Sequence, residues 1–136
     1  MGRPVVAECP TQRQYTVMYV RGHVATAEEG RQAPTSAQVE AAVDTFRLLA
    51  DPTRLRLLWL LSAGQYDVGT LAALLDVPRV STSQHLARLR AGGLVATRRD
   101  GRRVVYRARD SHVRSVIAEA LFHADHTVTG LTPDHD

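Results

Sequence analysis

The stretch TLAALLDVPRVSTSQHLARLRAGGLVATRRDGRRVVYRA, residues 70–108, decides the fold. Thr70 is a cap-type residue ahead of a short apolar run, which predicts a brief helix over 71–75 broken at Asp76-Val77-Pro78. A second helix is expected over about 80–91, stopped by Gly92-Gly93. In it Thr82, Leu86 and Leu89 recur at three- and four-residue steps and mark the buried face. Gln84 points almost the opposite way, flanked by Val80, Ser83 and Arg88. Residues 94–99 and 103–108 then read as two strands around Asp100-Gly101, a strong hairpin signal.

Two short helices about a tight break, followed by a hairpin, describe a helix-turn-helix with a wing. The outward side of the second helix, with Arg79, Ser81, Ser83, Gln84 and Arg88, offers hydroxyls, an amide and guanidinium groups, which suit base edges and phosphates. Arg98, Arg99, Arg102 and Arg103 crowd the hairpin tip, placed to grip phosphate or reach a minor groove. The formal charge of the chain is only +3, yet residues 79–109 hold nine arginines against one acid, Asp100. So one-sided a block points to a polyanion, double-stranded DNA. The competing reading is a solvated charged surface. His85 lies near the buried boundary and is read as structural.

Working outward, Thr35 or Ser36 caps a first helix whose apolar face is Val39, Val43, Phe46, Leu49 and Ala50. Asp51-Pro52 restarts the chain, with Asp as cap and Pro at the first helical position, so a helix runs over about 52–62 and ends at Gly64. Leu55, Leu58 and Leu61 would face the core, with Trp59 on a flank. Residues 1–34 lack sustained periodicity and read as a flexible tail, in which Met18 offers an alternative start and His23 is either solvated or a ligand that swings in. The expected layout is tail 1–34, one DNA-binding and dimerisation domain 35–126, and tail 127–136. Chain length and 44% hydrophobic content fit one soluble domain. A single cysteine, Cys9, excludes an intrachain disulfide framework or a multi-thiolate site within one chain. No run reaches membrane-span length and no secretory signal core is present, which predicts a cytoplasmic protein with no membrane partner. No nucleophile constellation or phosphate-binding glycine loop argues for an enzyme, and no organic cofactor is expected.

A last helix is expected from Asp110 to His126, capped by Asp110 or Ser111, with Val113, Val116, Ile117, Ala120 and Leu121 as its stripe. Ligand-type residues stand at both ends: Asp110 and His112, then His123 and His126. The latter two, three apart, share a face. His112 and His123 are close to three turns apart, so they also share a face, but at ~1.5 Å rise they lie about 16 Å from each other. An ion holds nitrogen ligands at about 2.1 Å, so one chain cannot use both ends on one metal. A second copy packed antiparallel can, and two-fold symmetry then makes two intersubunit sites per homodimer. The alternative is a capping residue with polar edge histidines. His135, nine positions beyond His126, is either idle or a further ligand.

The motifs LADPTRLRLL (49–58), SQHLARL (83–89), GGLV (92–95) and DGRRVVY (100–106) resemble the ArsR/SmtB family of metal-responsive winged-helix repressors over about residues 39–126. Thr82 stands where the family usually has Val. The resemblance implies a mainly α fold with a small β-hairpin wing, a homodimer, and release from a pseudo-palindromic operator on metal binding. It assigns the sensing site of the paired C-terminal helices to Asp110, His112, His123 and His126. Another subgroup binds soft metals through a Cys-x-Cys pair, where this chain has Tyr66-Asp67-Val68-Gly69, so sensing of that type is not implied. The chain is most similar to nickel and cobalt sensors of the family, which have a third His in place of an acid and draw ligands from their tails. The GLTPDH tail ending at His135 is similar to one of these, although Gly2 is followed by Arg3 and not His. Ni(II) or Co(II) is therefore the implied effector, and Zn(II), which four N/O ligands also suit, is the alternative. A winged-helix regulator with no metal response stays open as well.

Overall fold

The structure, a computed structural model, describes residues 32–130. The expectations for the N-terminal tail, Met18, Cys9, His23 and the tail histidine His135 lie outside the described residues. The chain divides between Glu40 and Ala41, a boundary that falls within the first helix.

Helix α1 spans Ser36–Leu49. Thr35 caps it reciprocally: its Oγ1 accepts the Gln38 N–H at 3.1 Å, and Gln38 Oε1 accepts the Thr35 N–H at 2.9 Å. The expected apolar face divides: Leu49, with Leu48 beside it, packs partly against the core. No residue of α1 is buried, and Val39, Val43 and Phe46 are exposed.

The domain beyond it runs α2 (Pro52–Ala63), β1 (Tyr66–Asp67), α3 (Val68–Leu75), α4 (Arg79–Ala91), β2 (Val95–Asp100), β3 (Arg103–Ala108) and α5 (Ser111–Thr129). Asp51 accepts the Arg54 N–H at 2.9 Å and Pro52 opens α2, as the Asp-Pro pair predicts. Leu57, Leu58 and Leu61 are its buried residues, so Leu57 takes the place expected of Leu55, which packs only partly against the core. Helix α3 begins three residues earlier than expected. Its cap is Asp67, whose Oδ1 accepts the Thr70 N–H at 2.8 Å, and Thr70 lies inside the helix.

The break between α3 and α4 has a backbone cause. Asp76 adopts the left-handed conformation (φ 54°), with Val77 N–H bonded to Ala72 O and Asp76 N–H to Ala73 O. The same pattern ends α4: Gly93 (φ 78°) and Leu94 donate to Arg90 O and Leu89 O, and the buried Leu89 and Leu94 accompany it. Both are Schellman endings.

Strands β2 and β3 pair antiparallel with Asp100 opposite Arg103, so Gly101-Arg102 is the loop. Gly101 has φ 65° and Arg102 is not left-handed, the pattern of a II′ turn with glycine first. Sequence reading does not foresee β1, whose Tyr66 and Asp67 pair with Tyr106 and Val105 and make the order β1-β3-β2. Leu57, Leu58, Leu61, Leu71, Leu86, Leu89, Leu94, Val95 and Ile117 form the core. Thr82 is buried among them without penalty because its hydroxyl donates to Pro78 O at 3.0 Å. The fold is a mainly helical winged helix-turn-helix.

Candidate functional site

Helix α4 is oriented by its buried stripe, Thr82, Leu86 and Leu89. That leaves Arg79, Ser83, Gln84 and Arg88 exposed, while Ser81 is half-buried at the edge of the reading face. His85 is half-buried between helices: its Nδ1 lies 3.4 Å from Arg54 Nη1 and 3.8 Å from Asp51 Oδ2. Arg54 also donates from Nε to Leu48 O at 2.7 Å. This arginine, absent from the sequence-based candidates, ties the start of α2 to α4; its signal is an arginine in the first turn, with Arg56 following, of a helix whose later turns are mostly apolar.

The four wing arginines divide into two pairs. Arg98 donates from Nε to Gln65 Oε1 at 2.9 Å, and Arg103 donates from Nη1 to Asp67 Oδ2 at 3.2 Å. Arg99 and Arg102 are exposed and have no side-chain partner among the described residues. Asp67 thus serves β1, the cap of α3 and the wing together. Hydrogen bonds from the Thr70 hydroxyl and amide, with Arg103 and Arg79 nearby, hold its carboxyl below the usual carboxylate range.

Asp110, His112, His123 and His126 all belong to α5 or its cap. The helix is unbroken from Ser111 to Thr129, three residues past His126, and closes at Gly130 (φ 70°). Asp110 accepts the Val113 N–H on Oδ1 at 3.0 Å, and this bond is the main cause of its lowered pKa. His112 and His123 are exposed. The ring of His126 packs edge-on against Phe122, with centroids 4.4 Å apart at 61°. Among the described residues, no three His, Cys, Asp or Glu side chains of the chain come together at metal-binding distance.

Of α5 only Ile117 is buried. Val116, Phe122 (61% exposed) and Val128 face outward, as does Phe46 (61%) of α1. Between α1 and the start of α5 lies an apolar cleft of about 300 Å³, walled by Phe46, Leu49, Val113, Val116 and Ile117, with Asp110 and His112 also lining it. Among the described residues, neither helix finishes its packing.

Residues 51–97, from the cap of α2 into β2, match the family model described as bacterial regulatory protein, arsR family. The transcriptional regulator KmtR of Mycobacterium tuberculosis is 41% identical over 109 residues, covering 80% of this chain and 84% of that protein. The chain belongs to the arsR family. The regulator NmtR of the same organism is 36% identical over 115 residues, 84% of this ArsR-family chain and 96% of the relative. Among solved structures, the homodimeric winged helix-turn-helix DNA-binding domain of a possible ArsR-family regulator from Mycobacterium bovis superposes with TM-score 0.62 at 30% identity, over 70% of this chain and 92% of that one. HlyU from Vibrio cholerae gives 0.61 at 31%, over 68% and 99%. This ArsR-family protein is a DNA-binding transcriptional regulator and not an enzyme.

Proposed function

We propose that the protein is a cytoplasmic repressor that grips operator DNA as a homodimer and lets go when Ni(II) or Co(II) binds between its two α5 helices. In each half-site α4 reads base edges through Gln84 and Ser83, with Ser81 at its edge, while Arg79 and Arg88 hold phosphates. Arg99 and Arg102 of the wing reach the backbone, with Arg98 and Arg103 behind them. Each metal site would take Asp110 and His112 from one chain and the partner subunit's His123 and His126, with His135 a further ligand.

One observation carries this reading: a single continuous helix bears ligand-type residues near both ends and an unburied apolar stripe between them. A second copy, packed antiparallel, satisfies the stripe and the ligands together. The donor set fits. Three imidazoles and a carboxylate suit Ni(II), Co(II) or Zn(II), and Asp110 spends only Oδ1 on its helix cap. A bound ion supplies a fixed crosslink between the two chains. The residues do the rest: α5 meets α2 through the core at Ile117, and α2 meets α4 through Arg54 and His85. A change in the α5 pairing therefore re-aims the reading helices. By linkage, operator binding weakens metal binding by the same factor.

The test is titration of the purified protein with Ni(II), Co(II) and Zn(II), following absorbance and operator release. Replacing His112 and His123 together should leave operator binding intact and abolish release. Unchanged release in that double variant would leave a winged-helix regulator with no metal response at this site.

A further inference from the structure

The outward stripe of α4 carries apolar side chains on a surface that is otherwise polar and basic. Val80 is 70% exposed. With Ser83, Gln84 and Ala87 it lines a recess of about 560 Å³, completed by Val68 and Arg79. Positions 80, 83, 84 and 87 follow the i, i+3, i+4, i+7 rule, so they share one face, turned away from the buried Thr82, Leu86 and Leu89. A lone exposed valine is ordinary on a protein surface. This one stands in the first turn of the second helix of a helix-turn-helix, the end that meets base edges.

The chemistry of the major groove leaves a valine one good contact. Its base edges present hydrogen-bond donors and acceptors, except for the C5-methyl group of thymine. Against any other edge a valine strips water from a polar group and gives no hydrogen bond back. Gln84 is the complementary case, since an amide can bond adenine N6 and N7 together. Four residues rise about 6 Å along a helix, against 3.4 Å per base-pair step, so the two side chains sample pairs one or two steps apart.

We infer that Val80 is a specificity residue that packs on a thymine methyl, one or two base pairs from an adenine held by Gln84, so that each operator half-site carries both. The inference rests on the DNA-reading role proposed above and adds to it a base that no hydrogen-bonding side chain selects.

The experiment starts from a duplex library with a randomised core, enriched on the full-length protein. Thymines of the enriched sequence are then replaced one at a time by uracil, which removes only the methyl group. For the parent protein one uracil position per half-site should weaken binding about three- to fivefold, the worth of one buried methyl. For Val80→Ser and Val80→Asn, which carry no methyl, the same duplexes should bind equally, methylated or not. Enrichment of a defined sequence without any methyl-sensitive position overturns the inference and leaves the DNA-reading role standing. So does a methyl-sensitive position that persists in both variants. If no sequence is enriched, the DNA-reading role falls and the inference with it.

Discussion

The Arg103 guanidinium, on the wing, lies 3.2 Å from the Asp67 carboxylate that caps α3, so one acid joins the wing to the helix-turn-helix. The two halves of this link differ in kind. The ion pair is largely exposed on the arginine side and is open to screening by salt. The cap is a short hydrogen bond to an otherwise unpaired helix N–H. Arg103→Ala should therefore lower Tm slightly, by an amount that vanishes at high salt. Asp67→Ala should lower it more and keep most of the loss in salt. Thermal melts at two ionic strengths decide this, and equal losses for both variants would contradict it.

The caps also set the acid limit of the fold. The Arg54 N–H holds the Asp51 carboxyl below its ordinary range, and the Thr70 hydroxyl and amide do so for Asp67. A folded-state pKa below the unfolded one stabilises fully above the unfolded value, about 3.9. That contribution is lost as pH falls through the lowered folded values. From these groups Tm should be unaffected between neutral pH and about pH 5, then fall below about pH 4. Asp51→Asn, which can still cap but does not titrate, should melt like the parent at neutral pH and lose less in acid. An unchanged acid slope in Asp51→Asn would remove Asp51 from the account.

How much of this was legible in the sequence depends on what each residue answers to. Local rules found α2 through Asp51-Pro52, the end of α4 through Gly92-Gly93, and the wing through Asp100-Gly101. They placed the cap of α3 on Thr70, not Asp67, because a two-residue strand has no period to detect. Tyr66-Asp67 exists only by pairing with β3, a partner far along the chain. The arginines at the wing tip were countable, but not which of them the protein already occupies through Gln65 and Asp67. The apolar period of α1 and α5 was readable too. A period says that a face is apolar and not what covers it, and among the described residues nothing covers Phe46 or Phe122. The ligand-type residues answer to spacing alone: it says that the two ends of one helix cannot share an ion and that a second copy would have to bring them together.

The uncovered faces give a stability contrast. Leu86 is fully buried, so Leu86→Ala should cost about 2–5 kcal/mol at any protein concentration. Phe46 is mostly exposed, and its contribution on the proposed homodimer comes from the partner. Phe46→Ala should weaken dimerisation at least about tenfold, as loss of a central aromatic does, and leave the melting of the dilute single chain nearly unchanged. Sedimentation equilibrium over a concentration series measures the first, and an unaltered dimer constant would place the interface elsewhere.

The wing predicts a graded salt response. Arg102 has no partner of its own among the described residues, whereas Arg103 must leave Asp67 to reach a phosphate. Arg102→Ala should weaken binding to all sequences alike and reduce the slope of log K against log salt by about one. Arg103→Ala should change that slope less. Gln84→Ala should relax base preference and leave the slope in place. Fluorescence anisotropy on operator and scrambled duplexes, across salt, separates the three, and a steeper change for Arg103→Ala than for Arg102→Ala would reverse the assignment.

Asp110 is the position where cap and proposed ligand coincide, and one pair of substitutions tells them apart. Its Oδ1 holds the first turn of α5 through the Val113 N–H, a bond that an asparagine side-chain oxygen replaces. An amide carries no charge and is a poor ligand for a divalent ion. Asp110→Asn should therefore melt like the parent, bind operator like the parent, and need more Ni(II) or Co(II) to release it. Asp110→Ala should lose both the cap and the metal response. His112→Ala, which leaves the cap untouched, should match Asp110→Asn in the metal titration and the parent in the melt. If Asp110→Asn titrates with metal as the parent does while His112→Ala fails, the aspartate serves the helix alone, and the site is closed by imidazoles and whatever the tail supplies.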